Sequence, residues 1–326
     1  MKITTFMRAA ILGLAATAVS VAQAAEMKTV AISTIVEVPS LMDGKQGIID
    51  ALADRGYIEG ETLKIEYQNA NGSMPTQQQI AKKFVGDAPD VIVPITTPTS
   101  QAMVASTRDI PIVFAMVTDP LKAKLIDKYV QPGGNVTGVS DAAPIGQQLD
   151  LILEFIPGMK KVGFIYNPGL DNALAALAVL KSEAEKRGIS VVESAAPTTN
   201  EVILATKKLI GKVDAVYVPD DTTVVAALEA IVKIGWDVQM PIFSGETSGV
   251  KRGAAASVGL DYYSVGRLAG EMAADVLDGK PVGTIDAVIA KDLNDKFNTL
   301  VNKSSAEKMG LTVPQSVLDA ASEVFE

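Results

Sequence analysis

The chain has 326 residues, contains neither cysteine nor histidine, and carries a formal net charge of −9 from 29 basic and 38 acidic residues. The lack of cysteine excludes disulfides, thiolate nucleophiles and cysteine metal sites, and the lack of histidine excludes Ser-His-Asp chemistry. The acidic balance argues against a surface for nucleic acid or anionic lipid. With 48% hydrophobic residues the chain is expected to fold, and its length corresponds to about two domains.

The first segment has the parts of a secretory signal peptide. Lys2 and Arg8 supply a positive start, residues 9–21 form an apolar run too short to span a bilayer, and Ala-Gln-Ala at 22–24 fits a signal-peptidase site. We expect residues 1–24 to be removed and the mature protein to be periplasmic. Lacking cysteine it is not expected to carry a lipid anchor, and lacking a later run of about 20 apolar residues it is not expected to insert stably in a membrane.

Short β-branched runs alternate with amphipathic stretches through the first half of the chain. This order is typical of a parallel α/β sheet. The predicted strands are residues 29–33, 63–67, 90–94 and 112–116, and the predicted helices are 41–55, 77–85 and 99–107.

The same order of elements returns in the second half. Asp-Val-Ile-Val-Pro at 90–94 matches Asp-Ala-Val-Tyr-Val-Pro at 214–219, and a glycine (Gly56 or Gly188) ends a helix just before a strand in each half. We therefore predict two doubly wound parallel-sheet lobes, with a boundary near residues 133–141. The predicted strands are 161–166, 190–193, 214–218 and 241–244, and the predicted helices are 172–187, 200–210 and 222–234.

Additional elements follow the second half: a run at 254–258, a long helix at 261–277, a strand near 285–290 and a helix at 304–309. Two independent domains connected by a single linker would leave these elements without a place. They are consistent with two lobes between which the chain crosses several times.

Several short strings carry a resemblance to a known family. They are Thr-Thr-Pro-Thr-Ser-Gln at 96–101, Pro-Ile-Val-Phe at 111–114 with Val-Thr-Asp-Pro at 117–120, Gly-Asn-Val-Thr-Gly-Val-Ser-Asp at 134–141, Tyr-Asn-Pro-Gly at 166–169, Val-Pro-Asp-Asp at 218–221 and Lys-Arg-Gly-Ala at 251–254. Together they resemble the substrate-binding proteins of bacterial ABC importers that take up tryptophan, phenylalanine and related small molecules. The resemblance covers essentially the whole mature chain.

This resemblance implies a type I periplasmic-binding-protein fold, in which two lobes joined by a three-crossover hinge clamp a ligand between them. On that basis the N-terminal lobe comprises residues 25–139 and 259–284, and the C-terminal lobe comprises residues 140–258 and 285–326. The implied partners are a small-molecule ligand and the transmembrane subunits of an ABC permease. We expect no cofactor and no metal, and a monomer.

Ligands of open α/β sheets bind at the carboxyl ends of the strands, which here are six loops at 35–40, 96–100, 117–120, 167–172, 219–222 and 245–247. The loop at 96–100 opens a helix whose free N–H groups can hold a carboxylate, and simple helix capping by Thr97 is the alternative. The polar candidates for ligand contact are Ser40, Thr97, Thr99, Ser100, Asn167 and Asn172, and the best ring candidate is Tyr166, for which core packing is an equal alternative.

These loops are poor in cations and rich in acids. A phosphate or dicarboxylate would need Arg or Lys beside it, so a neutral, zwitterionic or cationic ligand is expected. An ammonium group could lie between Asp141 and either Asp220 or Asp221. Glu246 is a further candidate and so is Asp119, although Asp119 and Asp221 could equally be loop or helix caps.

Function classes other than transport stay open at this point. The preferred function is a periplasmic solute-binding receptor of an ABC importer, for a small ligand such as an amino acid. The alternatives are an extracytoplasmic ligand sensor, or a receptor for a sugar or nucleoside. An enzyme using paired carboxylates is disfavoured, because adjacent acids are also common in binding clefts.

Overall fold

The structure is a computed structural model that describes residues 27–293 and 297–326. The predicted signal peptide, residues 1–24, lies outside the described residues. Within the described ranges, no helix has both the length and the apolar character needed to cross a membrane.

Strands and helices alternate along most of the chain. The strands are β1 (Lys28–Thr34), β2 (Leu63–Asn69), β3 (Val91–Ile95), β4 (Ile112–Phe114), β5 (Val136–Ser140), β6 (Lys161–Tyr166), β7 (Ser190–Ala195), β8 (Ala215–Val218), β9 (Ile242–Ser244), β10 (Ala256–Gly259), β11 (Val288–Ile289), β12 (Asn298–Asn302) and β13 (Glu323–Phe325). The helices are α1 (Pro39–Asp54), α2 (Met74–Asp87), α3 (Thr97–Ser106), α4 (Ile145–Phe155), α5 (Asp171–Lys186), α6 (Val202–Lys207), α7 (Thr222–Val225), α8 (Leu228–Val238), α9 (Ser248–Lys251), α10 (Tyr262–Leu277), α11 (Ala290–Leu293), α12 (Lys303–Lys308) and α13 (Gln315–Ala320).

The first lobe contains a parallel sheet in the order β11-β5-β4-β3-β1-β2. Every residue of β3 and of β5 is buried. A strand covered on both faces needs an apolar run rather than an alternating pattern, and Val-Ile-Val-Pro-Ile in β3 supplies one. The predicted parallel α/β sheet is confirmed here.

The second lobe contains a parallel sheet in the order β7-β6-β8-β9. Beside it, β12 pairs antiparallel with β10 and parallel with β13. The Ala255 N–H donates to the Ile242 carbonyl at 2.8 Å, which joins this group of strands to the sheet. The repeated α/β order read from the sequence is therefore present in both lobes.

The long helix α10 returns the chain from the second lobe to the first, where it packs against α1. The two helices touch backbone to backbone, because a Cβ atom at Gly266 would collide with the main chain of Gly44. Only glycine allows an approach this close. This contact holds the first turn of α10, which includes Tyr262, close to both lobes.

The third passage between the lobes differs from the expected position just after Thr284. β11 follows that point and pairs in parallel with β5 of the first sheet, through Val288 with Val139. The chain reaches the second lobe again only at β12. Residues 285–289 thus extend the first sheet rather than opening the second lobe, because the outer edge of β5 offers unpaired backbone groups there.

Two other expectations differ from the structure. No strand was predicted within the segment 133–141, but the buried strand β5 lies there, and its Gly138 passes so close to Phe114 that a Cβ atom would collide with it. The predicted helix at 222–234 is two helices, α7 and α8, since Ala227 between them has φ −113° and ψ 18°. Glycine is uncommon in strands, so Gly138 weakened the strand pattern of β5, which its neighbouring strands stabilise.

Candidate functional site

A cavity lies between the two lobes, at the carboxyl ends of the strands. It has about 380 Å³ of empty space, including the mouth that opens to solvent. The lining residues are Val38, Leu41, Thr96, Thr97, Met116, Thr118, Asp141, Asn172, Asp220, Thr222, Val225, Glu246 and Tyr262. Both lobes contribute, so a ligand here would be enclosed by the closing of one lobe on the other.

The first lobe presents the N-terminus of α3 to this cavity. Thr96 precedes the helix with φ 82° and ψ 159°, and its side chain caps no N–H group. This backbone region is strained for any residue with a side chain, and such strain is concentrated at functional sites. Pro98, within the first two positions of the helix, has no N–H, and the Thr97 hydroxyl is buried without a hydrogen-bond partner. The helix end therefore offers free donors to an anionic group.

The opposite wall is acidic. Burial raises the pKa of Asp141 from 3.8 to about 6, although the hydrogen bond from Tyr262 partly offsets this. Burial, with the charges of Asp141 and Glu246, raises the pKa of Asp220 well above its usual value. Burial also raises the pKa of Glu246. A cationic group in the cavity would reverse these shifts, because it stabilises the ionised carboxylates.

Unpaired polar atoms converge on the cavity. Buried side-chain atoms without a hydrogen-bond partner include Thr97 Oγ1, Asp141 Oδ1, Asn172 Oδ1 and Asp220 Oδ1, and all four residues line this cavity. Leaving such an atom unpaired costs about 1–3 kcal/mol. The carboxylate and amide oxygens accept hydrogen bonds only, so the missing partner on that side is a donor.

The remaining polar atoms of this wall hold one another in place. The Tyr262 hydroxyl donates to Asp141 Oδ2 at 3.2 Å, and the Asn172 amide donates to the Asp220 carbonyl at 3.0 Å. Burial raises the pKa of Tyr262 well above 10, so it stays protonated and remains a donor. Asp141 thereby has one carboxylate oxygen bonded and leaves Oδ1 for a ligand, and Asn172 is held by its amide nitrogen and leaves its side-chain oxygen free.

Glu246 already has partners. Ser40 from the first lobe donates to its Oε2 at 2.6 Å, and Ser248 donates to its Oε1 at 2.9 Å. Arg252 Nη1 lies 3.8 Å from the same Oε1. Ser40 and Glu246 therefore bond to each other across the lobes, whereas both had been expected to contact the ligand.

Two further candidates lie within α3, one turn below the cavity. Thr99 is fully buried and its hydroxyl lies 3.1 Å from that of Thr96. The Ser100 hydroxyl donates to the Thr96 carbonyl at 2.7 Å. Both side chains hold the strained turn at Thr96 and neither lines the cavity.

The last four sequence candidates lie away from the main cavity. Asp221 accepts from the Asn167 N–H at 2.6 Å and from the Thr223 N–H at 2.8 Å, so it caps α7 and ties down the 167 turn. The Tyr166 hydroxyl donates to Glu193 at 3.0 Å. Asp119 accepts from the Lys122 N–H at 3.0 Å and lines a neighbouring pocket.

The sequence analysis did not predict the apolar residues that line part of the cavity. The apolar lining residues are Val38, Leu41, Met116 and Val225, and the ring of Tyr262 lies beside them. A usable signal was present, since Val38 lies in a predicted loop, Leu41 follows that loop, and Met116 ends a predicted strand. Met116 also has φ 56°, which the sequence does not reveal.

In the part of the chain that the structure describes, no group of three or more histidine, cysteine, aspartate or glutamate side chains could hold a metal ion.

Comparison with known proteins gives the family. Residues 29–325 match the family described as ABC transporter substrate binding protein. The chain is 40% identical over 286 residues to a tyrosine-binding protein of Clostridioides difficile strain R20291, covering 88% of this chain and 82% of the relative. The chain therefore belongs to the family of ABC transporter substrate-binding proteins.

Two solved structures are similar throughout. A Streptococcus pneumonia protein in complex with L-Trp is 33% identical with a TM-score of 0.87, covering 92% of this chain and 100% of that one. A ligand-free, open substrate-binding protein of Clostridium difficile is 35% identical with a TM-score of 0.68, covering 92% of this chain and 99% of that one. Sugar-binding solute receptors match more distantly, such as one with bound myo-inositol at 16% identity, and show the fold alone.

These findings define the class of function. The fold is that of periplasmic-type solute-binding proteins, and members of this family bind small molecules for an ABC permease instead of catalysing a reaction. The chain is accordingly an ABC-type solute-binding protein.

Proposed function

We propose that this protein is the periplasmic receptor of an ABC importer and binds one free L-amino acid with an aromatic side chain. The observation that carries the proposal is the convergence of Thr97, Asp141, Asn172 and Asp220, each with a buried unpaired atom, on one cavity. Free amino acids carry an ammonium and a carboxylate on the same carbon. These two groups are the hydrogen-bond partners that the unpaired atoms of the walls lack.

The ammonium group is assigned to the acidic wall. Asp141 Oδ1, Asn172 Oδ1 and Asp220 Oδ1 can accept its three N–H bonds. Hydrogen bonds to a charged group contribute about 1.5–3 kcal/mol each, more than neutral ones. The positive charge also offsets the two ionised carboxylates, which no Arg or Lys among the cavity-lining residues does.

The carboxylate is assigned to the N-terminus of α3. The Thr97 hydroxyl and the free N–H groups of the first turn are donors, and the helix dipole favours a negative charge there. Because the α3 N-terminus belongs to the first lobe and Asp220 to the second, one zwitterion would contact both lobes.

The comparisons support a closed, ligand-ready arrangement. At nearly equal identity, the present structure is closer to the protein solved with L-Trp (TM-score 0.87) than to the protein solved ligand-free and open (0.68). A hinge motion between such forms is the usual response of two-lobed receptors to their ligand.

The aromatic side chain is supported by the relatives. One relative is named a tyrosine-binding protein, and another was solved with L-Trp. The receptor would act as a monomer, exported by the segment at 1–24, and deliver its ligand to the permease. A signalling receptor with the same cleft is distinguished by whether a cell lacking this protein loses uptake.

Isothermal titration of the purified mature protein tests the proposal. L-Tyrosine, L-tryptophan and L-phenylalanine are compared with N-acetyl-L-tyrosine, which lacks the ammonium, and with tyramine, which lacks the carboxylate. At least one of the amino acids should bind, and both derivatives should bind 100-fold more weakly or worse, following the loss of a charged hydrogen-bond set. If no amino acid binds, or if N-acetyl-L-tyrosine binds as well as L-tyrosine, the proposal is wrong.

A further inference from the structure

A second cavity, which we call the side pocket, adjoins the main one. It has about 570 Å³ of empty space, including its mouth. Its lining residues are Thr118, Asp119, Lys122, Ala142, Ala143, Ile145, Ala175, Ala176, Val179, Tyr217, Asp220 and Lys291. Like the main cavity, it is walled by both lobes.

The two cavities share walls. Thr118 from the first lobe and Asp220 from the second line both of them. Asp220 Oδ1 is buried and unpaired at this junction. A ligand whose ammonium bonds to Asp220 therefore has its α-carbon beside the entrance to the side pocket.

The shape of the side pocket follows from the size of its side chains. Ala142 and Ala143 follow β5 at the passage between lobes, and Ala175 and Ala176 lie on the facing turn of α5. Larger residues at these four positions would fill the space between the two segments. Ile145 is buried and adds an apolar wall, whereas Val179 lies at the rim and is 41% exposed. At the mouth the Lys122 side chain is 58% exposed, and its Nζ lies 3.3 Å from Asp119.

We propose that the side pocket receives the ligand's aromatic ring, while the main cavity holds the ammonium and carboxylate. This inference rests on the proposed function and assigns its side-chain specificity to Ala142, Ala143, Ala175 and Ala176. The main cavity has the smaller space of the two, about 380 Å³ against 570 Å³, and its unpaired atoms are already matched by the zwitterion. A buried ring gains roughly 25 cal/mol for each Å² of apolar surface removed from water.

The position of the side pocket also links ring size to closure. Thr118 and Asp119 contribute from the first lobe. Ala143 lies where the chain enters the second lobe, and Ala176 lies on α5 of that lobe. A ring that touches both sets stabilises the closed form more than a small side chain does. The ligand can shift the lobes only by the difference in its affinity for the two forms.

Two variants that fill the pocket test the inference against a matched control. Ala143→Leu fills the side pocket from its inner wall, and Val179→Phe fills it from a side chain that is 41% exposed, where misfolding is not expected. Leu174→Phe is the control, because Leu174 lies on the same helix as Val179, is 43% exposed and lines neither cavity. Melting temperature and circular dichroism confirm that each variant is folded.

Titration with the tightest-binding aromatic amino acid gives the result. Ala143→Leu and Val179→Phe should each weaken binding at least 10-fold, whereas Leu174→Phe should change it less than 3-fold. The inference is overturned if Leu174→Phe causes the larger loss, if all three losses are equal, or if neither pocket-filling variant weakens binding. Failure of the wild-type protein to bind any amino acid is a different outcome, which overturns the proposed function itself.

Discussion

Ser40 donates a hydrogen bond to Glu246 across the two lobes, at 2.6 Å between Oγ and Oε2. Ser40 lies at the start of α1 in the first lobe, and Glu246 follows β9 in the second. Both are buried. The pair thus forms a direct link between the lobes at the edge of the cavity, and this link can exist only when the lobes are closed.

Replacing Ser40 by alanine should make the ligand leave faster. Removing a hydrogen bond to a carboxylate costs about 1.5–3 kcal/mol, which corresponds to a loss of roughly 10- to 100-fold in affinity. Since the bond exists only in the closed form, most of the loss should appear in the dissociation rate, measured by stopped-flow displacement.

Ser248→Ala is the matched control for this variant. Ser248 bonds to the other oxygen of Glu246 at 2.9 Å but belongs to the same lobe. That bond does not depend on closure, so its loss should alter dissociation much less. Equal effects of the two substitutions would show that the Ser40–Glu246 bond does not hold the lobes together.

Asp141→Asn should stabilise the ligand-free protein while abolishing tight binding. Burial raises the pKa of Asp141 from 3.8 to about 6, so at neutral pH the folded protein contains an ionised carboxylate that burial disfavours. Removing that charge is worth up to roughly 3 kcal/mol, because each pKa unit corresponds to about 1.4 kcal/mol. Asparagine can still accept the bond from Tyr262. Urea unfolding at pH 7.5 without ligand measures the gain, and a variant that is less stable than the wild type contradicts this explanation.

The stability of the ligand-free wild type should fall as the pH rises from about 4 to about 7. A carboxyl group whose pKa is raised on folding contributes its stability fully below the unfolded value of 3.8 and loses it as the pH passes the folded value, about 6 for Asp141. Asp220 and Glu246, whose pKa values burial also raises, add to this slope. Melting temperatures across this range test the sign, and Asp141→Asn should flatten the curve.

Ligand affinity should have the opposite pH dependence. The ammonium group needs ionised carboxylates, so binding releases protons and weakens as the pH falls below about 6. Titration at pH 5 and pH 7.5 should show this weakening, whereas a ligand held only by apolar contacts would bind equally at both. An affinity that does not change between these values would remove Asp141 from the ammonium site.

The sequence predicted the parts of the fold that follow from local pattern. β3 and β6 were recognised from apolar runs, because a buried parallel strand requires them. β5 was not recognised, because Gly138 is required by its contact with Phe114, a relation between strands distant in sequence. The third passage between lobes was misplaced for the same reason, since the pairing of Val288 with Val139 is not a local property.

The site, like the fold, has features that the sequence predicts and features that it does not. The acidic character of the site and the helix N-terminus at Thr97 could both be predicted from the residues of the loops. The sequence could not separate Asp220, with its unpaired oxygen in the cavity, from Asp221, which caps α7. Adjacent residues of a loop point in different directions, and only the backbone geometry determines which one faces the ligand.

That difference gives the last prediction, in which neighbouring aspartates act as controls for each other. Asp220→Ala should weaken binding of an aromatic amino acid at least 10-fold, because it removes an acceptor of the ammonium. It should not destabilise the ligand-free fold, since loss of a buried carboxyl with a raised pKa removes an unfavourable charge. Titration measures the affinity and urea unfolding the stability.

Asp221→Ala should have the reverse pattern. It removes the cap of α7 and the acceptor for the Asn167 N–H, at a cost of about 1–2 kcal/mol in the free energy of unfolding. Binding should change only as far as the 167 turn and Asn172 shift with it. If Asp221→Ala abolished binding in a stably folded protein while Asp220→Ala left it intact, the roles assigned to the two residues would have to be exchanged, because only one of them can lie against the ammonium.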